Sequence, residues 1–402
     1  MSTILMIMES LMSLVITNKN HIINNKLTRK NQMKKEILIV TKFNDTHGRI
    51  IELALKQKGH NVTRWIGGMY PLYQTGSMHL SSDKGIDSWS CEEEDKQIGG
   101  KQYDTVWFRR PEMPRVPKTL HEDDVEFARF EYIYHNTSVL LNICPDAYWV
   151  NSFKTRSLAD SKITQLDEAT KCGLTIPPTL VSNNSKDIEK FVEEHIDSDI
   201  IHKCFTPFRW EENEKIILTR TTVFNKALLK NVEMLQSTPG IYQPLIKKEY
   251  EIRATFFGAY PVAVKINTQH HKEGSIDWRD APHTEKNTSI VELPPSLIKK
   301  CHKLMKKLNI EFACFDFIVT LDGDYIFLEF NEMGQFLWLE EHLPEVPFLD
   351  IFCEFLISGT FDFEYKKINP ISMSSVVESS AYESLTMIDE KANEKLMRDT
   401  IK

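Results

Sequence analysis

The stretch from Glu311 to Asn331, EFACFDFIVTLDGDYIFLEFN, constrains this chain more than any other. Two runs rich in β-branched and aromatic residues flank Asp322-Gly323, a dipeptide that favours a tight two-residue hairpin loop. With those two residues as the whole loop, Leu321 lies opposite Asp324, and counting back along both strands sets Asp316 opposite Glu329. Side chains alternate along a strand, so Phe315, Phe317, Val319, Ile326, Leu328 and Phe330 are expected on one apolar face. Asp316, Glu329 and Asn331 are expected on the other. Two carboxylates directly opposed across a ladder lie about 5 Å apart and repel unless something neutralises them. A hard divalent cation held by Asp, Glu and an Asn carbonyl would do so, and Mg²⁺ suits a site that phosphate oxygens complete. A solvated polar face of a half-buried sheet is the alternative these residues leave open. On the metal reading, Glu329→Gln is expected to leave the metal-free protein no less stable, because one of two conflicting charges is gone.

The rest of the chain supplies the frame. Glu36–Thr41 is a short apolar run, Asp45–Lys58 carries apolar residues at helical spacing, Gly59 ends it, and Asn61–Ile66 is a second strand. That is one βαβ unit and implies a parallel sheet. Thr105–Phe108 adds a strand ending in Arg109-Arg110-Pro111, Ser81–Lys101 reads as a loop or weak hairpin, and Asp123–Leu141 is helical, giving an N-terminal α/β domain at 34–145. A helix is expected from about Arg156 to Lys171, closed by Gly173 and followed by Pro177-Pro178. Strands at Ile200–Lys203, Ile216–Thr219 and Ile241–Gln243, with helices near Ser185–His195 and Leu228–Leu235, complete a central domain at 146–245. A hairpin of Glu251–Phe257 and Pro261–Asn267 around Gly258, a helix at Pro295–Leu308 and the 311–331 hairpin form a C-terminal domain at 246–363. Residues 364–402 read as a loosely held polar tail and 1–33 as a disordered extension. The fold class is α/β (α+β).

Composition excludes several functions. The 49 basic and 57 acidic residues leave a net charge of −8, which argues against a nucleic-acid-coating surface. The seven cysteines form no CxxC pair and no zinc spacing, which suits thiols in a reducing cytoplasm. No apolar run approaches the ~20 residues that span a bilayer. The apolar N-terminus, Ile4–Ile16, contains Glu9 and lacks the preceding basic residue of a signal peptide. No nucleic acid and no membrane are expected as partners.

The order of motifs from Met33 to Phe361 resembles that of the ATP-grasp ligases, which implies an N-terminal α/β domain followed by central and C-terminal grasp domains. Asp316 with Phe327-Leu328-Glu329-Phe330-Asn331-Glu332-Met333-Gly334-Gln335 is similar to their Mg²⁺ hairpin. The resemblance implies Asp316, Glu329 and Asn331 as metal ligands, and ATP and Mg²⁺ as cofactors. Lys162 falls where the superfamily has a lysine at a helix start, and Lys203 matches its phosphate-binding lysine at a strand end. Gln243, Pro244 and Leu245 resemble the hinge whose backbone holds adenine, and Glu251 the acid that takes the ribose hydroxyls. Arg253 and Arg279 match the arginines that clamp the γ-phosphate and the developing acyl phosphate, a task that suits planar guanidinium forks. One stretch departs from the pattern: Cys204–Glu214 contains no glycine, so a lid over the phosphates must work with Thr206, Arg209 and Trp210.

Within the superfamily, the chain most resembles the microviridin-type (graspetide) maturases of ribosomal peptides. The features are Glu36–Thr41 with Asp45, Arg64 and Tyr70-Pro71, then Trp107–Pro111, Asp277-Trp278-Arg279, and Gly334–Trp338. This resemblance implies a ligase that phosphorylates Asp or Glu side chains of a precursor peptide. It then joins them to Ser/Thr hydroxyls as ω-esters or to a Lys amine as an ω-amide, macrocyclising the peptide. It also implies a leader segment docked on the central domain, and a homodimer. Arg109 and Arg110 are candidates for reading acidic side chains of the precursor, or for a domain-interface salt bridge. Asp277 and His270 are further substrate candidates, His270 as a proton acceptor or as part of a polar loop pair with His271. Two other readings stay open: a grasp ligase that adds amino acids to a protein or small-molecule carboxylate, and a nucleotide-regulated peptide-binding protein without chemistry.

Overall fold

The computed structural model describes residues 33–401 apart from 95, 207, 213–214, 273 and 283–286. The expected extension at 1–33 therefore lies, but for Met33, outside the described residues. The βαβ unit forms as the spacing requires, with β1 (Glu36–Thr41), α1 (Thr46–Gln57) and β2 (Asn61–Ile66). Where a loop or weak hairpin was expected at 81–101, β4 (Gly85–Glu93) and β5 (Lys96–Gln97) do pair as a hairpin, and β3 (Thr75–Ser81), before it, extends it to a three-stranded antiparallel sheet. Next come β6 (Thr105–Phe108), β7 (Val116–Pro117), α2 (Val125–Asn142) and β8 (Tyr148–Val150). The main sheet is parallel, in the order β2-β1-β6-β8. Alternation assigns its faces: Ile37 and Ile39 share a core with Ile50, Ile51, Ala54 and Leu55 of α1, while Leu38 and Val40 pack with Val139 and Leu140 of α2. β8 belongs to this sheet and moves the boundary past 145, because three residues are too few for a period to register.

A single expected helix at 156–171 is two, α3 (Phe153–Ala159) and α4 (Lys162–Lys171). Ser161 is extended, and its side chain accepts the Thr164 amide at 3.3 Å, capping α4 and making Lys162 its first residue. The central domain continues with β9 (Leu180–Ser182), α5 (Ser185–Glu194), β10 (Ile200–Lys203), β11 (Arg209–Glu212), β12 (Lys215–Leu218), β13 (Thr222–Val223), α6 (Val232–Ser237) and β14 (Gly240–Pro244). Its antiparallel sheet runs β13-β10-β14-β9, and Ile188, Val192 and Leu235 of the helices close its core. The glycine-free segment folds as the separate β11–β12 hairpin. Thr206 and Arg209 are exposed there, and the Trp210 side chain lies outside the described residues.

The third sheet, β17-β16-β15-β18-β19, is built from β15 (Lys248–Phe257), β16 (Tyr260–Asn267), β17 (Asn287–Val291), β18 (Phe312–Thr320) and β19 (Tyr325–Asn331). Between β17 and β18, α7 (Pro295–Lys307) returns across one face and buries Leu297, Cys301, Leu304 and Met305 against Ile252, Ala254, Phe256, Phe315 and Phe317. The opposite face is divided. Phe257 and Phe312 join the N-terminal core, and farther along the same strands Glu251, Arg253 and Asp316 face away from the apolar layer.

The register of the β18–β19 hairpin differs from the expected one in two compensating ways. The loop holds three residues, Leu321–Gly323: the Thr320 amide donates to the Asp324 carbonyl at 3.0 Å, and Gly323 adopts φ +85°. Val319 therefore pairs with Tyr325, and Phe317 with Phe327. A bulge at Leu328 then restores the count, so that Asp316 does oppose Glu329. The same bulge inverts the alternation, and Phe327 rather than Leu328 enters the apolar core.

The chain ends in α8 (Trp338–His342), α9 (Phe348–Ser358), α10 (Met373–Val377), α11 (Ser380–Asp399) and β20 (Thr400–Ile401). Phe348, Phe352, Phe355 and Val376 pack into the core that holds Ile37 and Trp107, so these helices complete the N-terminal domain. The expected loose tail is thus an ordered strap. β20 pairs with β7, and the buried Asp389 takes both Arg64 Nη atoms, at 2.5 and 2.6 Å, and Arg49 at 3.4 Å. Among the described residues no helix is long and apolar enough to cross a membrane.

Candidate active site

Four cations from four elements gather on the polar face of the β18–β19 hairpin. Arg253 lies opposite Asp316 in the β15–β18 ladder and donates to its Oδ2 at 2.7 Å. Lys162, at the start of α4, forms an ion pair with Glu329. Lys203, at the end of β10, and Arg279, in the turn Trp278–Asp280, both lie in the field of Glu329. Asp277, itself buried, holds Arg279 through Nε at 2.8 Å and Nη2 at 2.6 Å. Four cations against three carboxylates leave one positive charge in excess, the balance an anion-binding site needs.

The titration of these groups follows from burial and charge. Burial pushes Asp316 up; Arg253 opposes that, and the charge of Glu329 adds to it. Burial also works against ionised Glu329, but Lys162, then Lys203 and Arg279, hold its carboxyl below the usual range. Burial pushes the Lys203 ammonium down, with Lys162 and Arg279 adding to the effect and Glu329 opposing it. The opposed carboxylates are therefore not left in conflict, as the sequence suggested, because each has its own cation. Asp316, Glu329 and Asn331 present three oxygen donors on one strand face, and the described residues contain no group of three or more His, Cys, Asp or Glu that could cage a metal. That donor set fits a hard cation that draws its remaining ligands from phosphate oxygens and water.

Gln243 is buried, donates Nε2 to Thr179 Oγ1 at 2.9 Å and leaves its Oε1 buried without a partner. An unsatisfied buried acceptor costs free energy, and an amino group on a bound base would satisfy it. Pro244 sits opposite Ile200, where no amide is required, whereas the Leu245 amide is already committed to the Asp199 carbonyl at 2.7 Å. Contact with a base through that particular amide is therefore not open. Glu251, two residues from Arg253 on the same face of β15, receives Lys248 Nζ at 2.6 Å; burial pushes its pKa up and Lys248 opposes the shift.

The two arginines at the end of β6 part company. Arg109 is buried, gives Nε to Asp45 at 2.8 Å and Nη1 to the carbonyls of Met333 and Gly334 (2.6 Å to Gly334), and so serves the domain interface rather than a peptide. Arg110 is exposed. Two residues that the sequence reading missed complete the interface. Burial, with the Arg109 charge, pushes His47 down to about 3, and its neutral Nε2 accepts the amides of Phe336 at 3.3 Å and Leu337 at 3.4 Å. Asn151 donates to the carbonyls of Phe312 at 2.8 Å and Glu332 at 2.7 Å. Neither carries a sequence signal, because each acts across more than 150 residues of chain on backbone atoms alone. His270 is exposed beyond β16, and His271 Nδ1 accepts the Gly274 amide at 3.0 Å within that turn.

No family model matches the chain, and no curated protein matches its sequence. Solved structures do. A RiPP-associated ATP-grasp ligase of Chryseobacterium gregarium, in complex with ADP and a leader and core peptide, superposes with a TM-score of 0.72 at 26% identity, covering 81% of this chain and 97% of that one. The macrocyclase MdnC of Microcystis aeruginosa, bound with precursor peptide MdnA, gives 0.69 at 25% identity, covering 80% and 99%. MdnB of the same organism shares the fold, at 0.65 and 24% identity over 80% and 99%. The chain has the ATP-grasp fold and is an ATP-dependent ligase. The two compared structures at 25% identity or more are a RiPP-associated ATP-grasp ligase and a macrocyclase bound with its precursor peptide.

Proposed function

We propose that this ligase macrocyclises a ribosomally made precursor peptide of the microviridin (graspetide) type. An Asp or Glu carboxylate of the peptide would attack the γ-phosphate of ATP, releasing ADP and forming an acyl phosphate. A Ser/Thr hydroxyl then captures it as an ω-ester, or a Lys amine captures it as an ω-amide, releasing phosphate. The observation that carries this reading is the convergence of Lys162, Lys203, Arg253 and Arg279 on Asp316 and Glu329, in a chain whose fold matches ligases solved with leader, core or precursor peptides. ATP would supply the phosphoryl group, and Mg²⁺ on Asp316, Glu329 and Asn331 would neutralise its oxygens. Lys162 and Lys203 would then bind phosphate as point charges, while Arg253 and Arg279 would offer planar forks to the oxygens that gain charge in transfer. Gln243 Oε1 would accept from the base, Pro244 and Leu245 would line it, and Glu251 would hold the ribose. No protein nucleophile is required, and positioning with charge stabilisation carries the rate. We also read the active form as a cytoplasmic homodimer whose leader docks on the central domain; the seven free thiols support the compartment.

The test is to search beside its gene for a small Thr/Glu-rich peptide, incubate that peptide with the protein, ATP and Mg²⁺, then weigh the peptide. One water lost per ring is expected, and an added amino-acid mass would overturn the reading. In the same assay Arg279→Ala should slow ring formation about 100-fold or more while ADP affinity stays within a few fold, since its charge matters most as the phosphoryl group moves. Near-normal turnover would remove Arg279 from the site.

A further inference from the structure

Arg109, Arg253 and Arg279 each hold a carboxylate of this chain, whereas Arg110 holds a neutral amide. With the Gln335 amide oriented so that its oxygen faces the guanidinium, Arg110 Nη1 donates to it at 3.2 Å. Among the described residues Arg110 has no ion-pair partner. Its backbone is strained as well, at φ +44° directly before Pro111, where only the Met333 sulfur receives its amide, at 3.3 Å. The conformation ends β6 and turns the exposed side chain out at the carboxyl edge of the parallel sheet. There β1 is flanked by β2 on one side and β6 on the other, the switch point where open α/β sheets bind ligands.

Gln335 ties this position to the reaction centre. Its carbonyl accepts from Arg253 Nη2 at 3.4 Å and from Trp338 Nε1 at 3.1 Å. Trp338 stacks on Trp278, with ring centroids 5.0 Å apart, and Trp278 precedes Arg279. One residue thus has its side chain on Arg110 and its main chain on Arg253. A carboxylate that displaced the amide oxygen would gain a charge-assisted, fork-like pair in place of a neutral one. It would then lie one residue's width from the arginine that faces the transferring group.

We propose that Arg110, with Gln335 as its exchangeable partner, is a specificity residue that takes the carboxylate of a second acidic side chain of the peptide, beside the one being activated. This rests on the peptide-ligase reading above. The experiment uses the full chain and the same neighbouring peptide, with each non-reacting Glu or Asp changed in turn to Gln or Asn. Arg110→Gln should raise the peptide KM about tenfold or more, leave kcat and ADP affinity near wild type, and leave the melting temperature unchanged. One neutralised peptide acid should raise KM to the same extent with the wild type and no further with Arg110→Gln, and Arg110→Lys should recover part of the loss. Additive effects, or an unchanged KM in Arg110→Gln while the wild type makes rings, would overturn this inference alone. A wild type that leaves the peptide's mass unchanged would overturn the ligase reading and this one with it.

Discussion

A Glu329→Gln variant should melt earlier than the wild type without ligand, and it should lose nearly all of the stabilisation that Mg·ATP confers. The Glu329 carboxylate is the partner of Lys162 and lies in the fields of Lys203 and Arg279, which together hold it ionised against the effect of burial. With its charge gone, Lys162 and Lys203 repel each other, and Lys203 keeps the charge of Asp277, which also holds Arg279. The side chains are 27% and 24% exposed for Lys162 and Glu329, so the cost is about 1–3 kcal/mol, below that of a fully buried pair. The sequence pointed the other way, because it assigned Glu329 a single neighbour, Asp316. The sign can be checked with pH. A carboxyl whose folded pKa is lowered contributes stability that is full above its ordinary value of 4.5 and is lost as pH falls through the folded value. The gap between wild type and variant should therefore be complete at pH 7 and close in acid. Binding of Mg·ATP stabilises by linkage, so on the proposed role of Glu329 as a cation ligand the variant should lose that shift and about 100-fold or more of the activity. Equal ligand-induced shifts in wild type and variant would reduce Glu329 to a structural partner of Lys162.

What was legible in the sequence was local. Period-two runs and glycine signals located β1, β2, β6, β15, β16 and the β18–β19 hairpin, and helical spacing located α1, α2 and α7. The pairing of Asp316 with Glu329 came out right through two offsetting errors. Asp322-Gly323 does mark the loop, but Leu321 belongs to it, and the bulge at Leu328 that cancels the miscount has no residue signature. Ser161 was a readable N-cap, and its neglect merged α3 with α4. The cations opposite the carboxylates were not derivable from spacing, since Arg253 and Lys162 reach them across 63 and 167 residues. Arg109 and Arg110 were indistinguishable as neighbours in sequence. What separates them is Asp45 and the carbonyls of Met333 and Gly334, which arrive from elsewhere in the chain. The strap α11 read as a loose tail for a physical reason: of its 20 residues only Asp389 and Leu396 are buried, and one of those two is an acid.

That acid should be the most costly single residue to remove outside the active site. Asp389→Ala should destabilise the protein by about 3–5 kcal/mol, because it strands two buried arginines rather than deleting one contact. The Asp389 side chain is 2% exposed, Arg64 8% and Arg49 9%. Arg64 binds Asp389 in a bidentate fork and, among the described residues, keeps Glu52, at 3.1 Å, as its ion-pair partner when it is gone. Arg49 keeps the Phe43 carbonyl at 2.8 Å. Asp389→Asn retains one acceptor oxygen and should cost less, about 1–3 kcal/mol. The loss should be regional. With its buried charge removed, α11 keeps attachments at its two ends: Tyr382 against the N-terminal core, and Leu396 on Phe43 and Ile66 with Asp399 on Tyr73 and the β20–β7 pairing. Limited proteolysis should therefore cut first within 380–399 in Asp389→Ala, while the Mg·ATP-induced rise in melting temperature persists, since none of the cations around Glu329 touches the strap. A variant that resists the protease as well as the wild type would assign the strap's attachment to its end contacts, Tyr382, Leu396 and β20, rather than to Asp389.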